Sequence, residues 1–127
     1  MQRTFLHAKL HRVHVTHVEL DYEGSVAIDA LLLDAAGIRE YERVDVYNVT
    51  NGERFSTYAI RGEPASGMIS VNGAAAHKAA CGDILIICAF GILEERELRD
   101  FRPRLIYVDA SNRIVRSGDA IPMQVVG

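Results

Sequence analysis

The sequence predicts a mainly β fold with a few short helices, wrapped into a closed or partly closed barrel. Two observations carry this. Most structured segments are short and strand-like, with apolar and polar residues alternating along several of them. Turn signals, above all Asn51-Gly52 and Asn72-Gly73, divide these segments, and only short stretches suit a helix.

Arg12 to Leu20 reads as extended chain, with Val13, Val15 and His17 on one side. Asp29 to Gly37 reads as a short helix: Asp29 can cap its start, and Gly37 can take the left-handed closing position. Val44, Val46 and Asn48 alternate along the next strand, and Asn51-Gly52 turns it back into Arg54 to Ile60. Glu63 to Gly67 is a loop around Pro64, and Met68 to Val71 is strand-like. Asn72-Gly73 is a second turn, followed by a short helix over Ala74 to Ala80. Gly82-Asp83 leads into Ile84 to Phe90, a buried strand. Glu94 to Asp100 is charged and forms a helical turn or a solvated excursion. Leu105 to Val108 and Ile114-Val115 are strands flanking a loop at Asp109 to Arg113.

Composition narrows the function classes. A chain of 127 residues fits one domain, and 49% hydrophobic with 24% charged residues is ordinary for a globular protein. A net charge of -3 offers no footprint for nucleic acid or an anionic membrane. The longest apolar run, Ile84 to Phe90, is far short of the roughly 20 residues that span a bilayer. The N-terminus lacks the apolar core of a secretory signal. Cys81 and Cys88 match neither a disulfide framework nor a zinc motif, so a reducing, cytoplasmic location is expected and Cys88 is read as a core residue. On a regular strand His7, His11 and His17 would share one face, with His14 on the other. That spacing fits no standard zinc motif, and no metal is expected.

Tyr22-Glu23-Gly24-Ser25 decides the functional reading. Alone, Gly-Ser is most often a turn. The chain also carries Lys9-Leu10-His11-Arg12, Asn51-Gly52-Glu53-Arg54-Phe55-Ser56-Thr57-Tyr58, Val71-Asn72-Gly73-Ala74-Ala75-Ala76-His77 and Ala120-Ile121-Pro122-Met123-Gln124-Val125. In this order, from Arg3 to Val125, the sequence resembles the bacterial aspartate 1-decarboxylase family. The resemblance implies a double-psi β-barrel, a homotetramer and a covalent pyruvoyl cofactor made from Ser25. It also implies self-cleavage between Gly24 and Ser25 into a 1–24 β chain and a 25–127 α chain. A maturation factor is a candidate partner. The activity implied is decarboxylation of L-aspartate to β-alanine, a precursor of pantothenate.

Within that resemblance the residues divide into processing and turnover. Ser25 supplies the nucleophile and then the cofactor. Gly24 leaves room for its attack and tolerates strained backbone. Thr57 assists processing and borders the substrate. Tyr58 returns a proton to the substrate carbon. Arg54 and Lys9 hold the two substrate carboxylates. Asn72, with Gly73, Ala74 and Ala75, adds hydrogen bonds, and Tyr22 shapes the pocket wall. Tyr47 stands at a variable wall position, and His11 supports the processing site. Two competing readings are a pyruvoyl decarboxylase of another amino acid and a barrel used only for binding, with Ser25 unprocessed. The paired cations argue against the first; cleavage before Ser25 separates the second.

Overall fold

The computed structural model covers residues 1–127. It contains nine strands: β1 (Gln2–His14), β2 (His17–Glu19), β3 (Ser25–Asp29), β4 (Arg43–Asn48), β5 (Arg54–Gly62), β6 (Ile69–Asn72), β7 (Ile84–Glu94), β8 (Arg104–Val108) and β9 (Ile114–Gly118). Helix α1 (Ala30–Ala36) follows β3, a 3-10 helix (Gly73–Lys78) follows β6, and α2 (Glu95–Leu98) follows β7. All strands join one mixed sheet in the order β2-β6-β3-β5-β4-β7-β1-β8-β9. Hydrogen bonds do not close this sheet, and the mainly β architecture is consistent with a double-psi β-barrel.

The core is a cluster of 19 buried apolar residues. Alternation drives their burial: Val44 and Val46 of β4 are fully buried while Arg43 on the same strand is exposed. Cys88 lies at 5% exposure within β7, as a core residue should. Asp29 caps α1 by accepting from the Leu31 N–H, and its carboxylate also receives the Ala65 and Gly67 N–H groups. Gly37 closes the helix at φ 71. These contacts tie the end of β3 to the loop before β6.

Four local expectations change. The first strand begins at Gln2, not near Arg12, and breaks before β2; Val15 N–H bonds to Asp83 and Thr16 N–H to Ile69 instead. His17 is therefore exposed while Val13 and Val15 are buried. Register shifts at Leu6/Ala8 and Leu10/Val13 interrupt β1, so residue parity does not assign histidine faces. Asn72 ends a strand, and Gly73 at φ 69 opens the 3-10 helix, in place of a two-residue turn and a helix over 74–80. Finally, β7 and β9 run on to Glu94 and Gly118, because each keeps pairing with a neighbouring strand.

Candidate active site

Ser25 opens β3 directly opposite Asn72 of the antiparallel strand β6. It is 1% exposed and holds φ 136, a backbone region that L side chains rarely adopt. Such a conformation stores about 1–3 kcal/mol. The Asn72 Nδ2 group donates to Ser25 Oγ at 3.3 Å, and Asn72 Oδ1 accepts from the Ser70 hydroxyl at 2.7 Å. All three residues are buried, with Ser70 at 3% and Asn72 at 2% exposure.

The strain lies on Ser25, whereas the sequence reading placed it on Gly24. Gly24 is not among the positive-φ glycines, and a Cβ built on it meets nothing within 4 Å. Gly73 is the crowded glycine: a Cβ there would lie 2.8 Å from the Gly24 Cα. The start of the 3-10 helix thus presses on the backbone that precedes Ser25. Ala75 is half-buried and Ala74 is exposed on that same helix.

Strand β5 carries three of the sequence-predicted residues. Val26 of β3 pairs with Ala59, so Ser25 starts beside Tyr58 in a parallel ladder. Thr57 shares the Ala59 side of β5 and pairs with the buried Val44, whereas Arg54, Ser56 and Tyr58 project from the other side. The hydrogen bond to Ser25 Oγ comes from Asn72, not from Thr57. Arg54 is paired with Tyr47 and stacks on its ring, with the guanidinium carbon 4.2 Å from the ring centroid. A register row runs Lys9–Cys88–Asp45–Ser56 across β1, β7, β4 and β5, which puts Lys9 on the Arg54 and Tyr58 face. Ser56 donates to Asp45 at 2.6 Å in that row. Burial pushes the Cys88 thiol up; Lys9 pulls it back, Asp45 opposes Lys9, and Arg54 adds to the downward pull. Those three charges therefore all act on one sulfur. None of the ion pairs in the chain uses Lys9 or Arg54.

The family model for aspartate decarboxylase matches residues 1–115. The chain belongs to the aspartate decarboxylase family. It is 64% identical to the aspartate 1-decarboxylase of Methylobacillus flagellatus over 124 residues, 98% of each chain. It is also 64% identical to that of Methylococcus capsulatus over 124 residues, again 98% of each chain. The protein of the same name from Nitrosococcus oceani is 61% identical over 125 residues, 98% of this chain and 99% of the relative.

In this family member a cavity of about 400 Å3 is lined by Tyr22, Ala27, Ser70, Asn72, Ile60 and Met68 among others; Ser25 does not line it and adjoins it only through its partner Asn72. Lys9, Arg54, Thr57 and Tyr58 do not line it. Two larger cavities, of about 560 and 640 Å3, sit elsewhere, one around Asp29 and Asn112 and the other around Arg102 and Arg104. The fold thus brings Ser25 against Asn72, and Gly73 against the Gly24 and Tyr22 backbone. Lys9 stands four strands from Ser25 in the sheet order.

His11 packs edge-on against Tyr107, with ring centroids 5.4 Å apart. Burial, together with the Lys9, Arg12 and Arg116 charges, holds its imidazole below the usual range. His7 instead contacts Glu42 at 2.6 Å, and no three His, Cys, Asp or Glu side chains gather as a metal site. No helix is long and apolar enough to cross a membrane. Sequence reasoning missed Ser70. Its signal was present in Ile69-Ser70-Val71-Asn72, whose two polar residues alternate with core residues yet are buried, Ser70 bonding to Asn72 and Asn72 to Ser25.

Proposed function

We propose that this chain cleaves itself between Gly24 and Ser25 and then decarboxylates L-aspartate to β-alanine and CO2. Ser25 carries the reading: a buried serine in a strained backbone, with a carboxamide donor on its hydroxyl, in a chain of the aspartate decarboxylase family.

The first reaction uses only the chain. Ser25 Oγ attacks the Gly24 carbonyl carbon, and the Gly24–Ser25 C–N bond breaks as the nitrogen takes up a proton, leaving an ester. Loss of the Ser25 Cα proton and cleavage of the Cβ–Oγ bond release the Gly24 carboxylate and leave dehydroalanine. Water then replaces the nitrogen, giving ammonia and a pyruvoyl group at the start of the 25–127 fragment. Backbone strain at Ser25 raises the starting state, and a donor on Oγ favours the charge that builds there. A buried β3 start with the Asn72 carboxamide donor beside it fits a small ketone-bearing group.

When formed, that group supplies the electron sink that allows CO2 to leave. The other roles belong to side chains. Arg54, held flat on Tyr47, grips one carboxylate with two parallel N–H groups, and Lys9 attracts the second. Tyr58 returns a proton to the carbon that lost CO2. Asn72 and the backbone of Gly73, Ala74 and Ala75 hydrogen-bond the substrate, Thr57 assists processing, and Tyr22 closes one wall. Two cations on one face of the sheet suit a dicarboxylate, which favours aspartate over other amino acids.

Convergence of these groups is assigned to a homotetramer. The face bearing Lys9 and Arg54 of one copy would then meet the cavity beside Asn72 of another. Lys9 sits four strands from Ser25, and neither cation lines that cavity, which supports this reading. A cytoplasmic location and a role in pantothenate synthesis complete the proposal.

The test is the intact mass of the purified protein under denaturing conditions, followed by CO2 release from L-aspartate. The proposal expects fragments 1–24 and 25–127, the larger with a pyruvoyl mass at its start, and aspartate-dependent CO2. A chain that stays whole after prolonged warming but cuts on addition of cell extract would bring in a maturation factor. Full CO2 release by an uncut chain would refute the mechanism.

A further inference from the structure

The polar chain behind Ser25 does not stop at Asn72. Ser70 and Asn72 lie on the same side of β6, facing Ala27 and Ser25 of β3. The Ser70 hydroxyl donates to Asn72 Oδ1 at 2.7 Å, and Asn72 Nδ2 donates on to Ser25 Oγ at 3.3 Å. Every residue of this chain is at least 97% buried, given exposures of 3%, 2% and 1%. Asn72 also stands at the N-cap of the 3-10 helix, where asparagine commonly caps the backbone, yet its side chain makes no cap bond. Its carboxamide is committed to the two serines.

We infer that Ser70 is a positioning residue for the self-cleavage step: it fixes the Asn72 carboxamide so that the N–H, and not the carbonyl, faces Ser25 Oγ. This rests on the self-cleavage reading above. The terminal torsion of asparagine is broad and roughly two-fold, so an unanchored carboxamide swings or turns over. An N–H on Oγ is what the chemistry needs. Charge builds on that oxygen as it loses its proton, and again when the Cβ–Oγ bond breaks and the oxygen leaves with the Gly24 carboxylate. A carbonyl turned toward Oγ would oppose both steps. Ser70 touches no reacting atom and acts through Asn72.

Two nearly isosteric variants isolate the hydroxyl. Ser70→Thr keeps it, and Ser70→Val replaces it with a methyl; both residues suit a strand. The time course of cleavage of each full-length chain is followed by denaturing mass spectrometry, beside its melting temperature. Ser70→Thr is expected to cleave within about threefold of the unmodified chain and Ser70→Val roughly tenfold more slowly, with similar melting temperatures. Ser70→Ala replaces the valine variant if that does not fold. Equal cleavage by the threonine variant and the variant lacking the hydroxyl, whether both fast or both slow, overturns the role of Ser70. Failure of the unmodified chain to cleave refutes the self-cleavage reading instead, so the two failures are distinguishable.

Discussion

Gly73 is pressed against Gly24: a Cβ on residue 73 would lie 2.8 Å from the Gly24 Cα and 3.1 Å from its nitrogen. Real Cβ atoms essentially never approach backbone that closely, and φ 69 at Gly73 is itself costly for any other residue. The contact couples the start of the 3-10 helix to the bond proposed to break. Gly73→Ala is expected to lose about 1–2 kcal/mol from backbone strain alone and to shift Gly24 off its present position. Melting temperature and the fraction of cut chain check it. A variant as stable and as fully cut as the parent would show that the two backbones move apart freely.

Ser25 separates strain from chemistry. Ser25→Ala keeps the φ 136 backbone but lacks the hydroxyl, so it should fold, stay uncut and release no CO2 from aspartate. Ser25→Gly should also stay uncut, yet be more stable than Ser25→Ala by about 1–3 kcal/mol, because glycine adopts this region without strain. Denaturant melts of the two uncut proteins measure the difference. Equal stability would remove stored strain from the mechanism, and turnover by Ser25→Ala at the parental rate would remove the mechanism itself.

Much of the fold was legible where the signal is local. Asp29 and Gly37 mark both ends of α1, and Asn51-Gly52 marks the β4–β5 hairpin. Strand partners were not legible, because a two-residue period identifies a face without saying what pairs with it. Thus β1 was cut short in the reading: its first residues are exposed and its alternation is broken by two register shifts, although it pairs with β7 along most of its length. In the candidate site Gly24-Ser25 stood out by family resemblance. Ser70 did not, because a polar residue alternating with apolar ones reads as solvent-facing. Here both faces of β6 are buried, and only the pairing with β3 reveals it.

His11 gives the fold a pH dependence of definite sign. Its folded pKa lies below the ordinary value, through burial first and then the Lys9, Arg12 and Arg116 charges. The unfolded chain therefore binds more protons than the folded one between that lowered value and about 6.5, so stability falls as pH drops through this window. Above about 6.5 the contribution is fully present. Melting temperatures at pH 7.5 and 5.5 should show a smaller acid-induced drop for His11→Gln than for the parent. An identical drop would assign the acid sensitivity to other groups.

Arg54 should matter to turnover far more than to self-cleavage. It projects from the Tyr58 side of β5, stacked on Tyr47 and without an ion-pair partner, while the contact to Ser25 Oγ comes from Asn72. Removing it therefore takes a carboxylate anchor from the substrate and nothing direct from the Gly24–Ser25 bond. Arg54→Ala is expected to cut at close to the parental rate and to lose about 10–100-fold in kcat/KM for aspartate, the scale of one charge-assisted pair. Arg54→Lys restores the charge but neither the planar fork nor the full stacking, so it should recover only part of that loss. Cleavage kinetics and CO2 release on the same preparations check both. Equal loss of cleavage and turnover in Arg54→Ala would move this arginine into the processing machinery and leave Lys9 to answer for the substrate carboxylates.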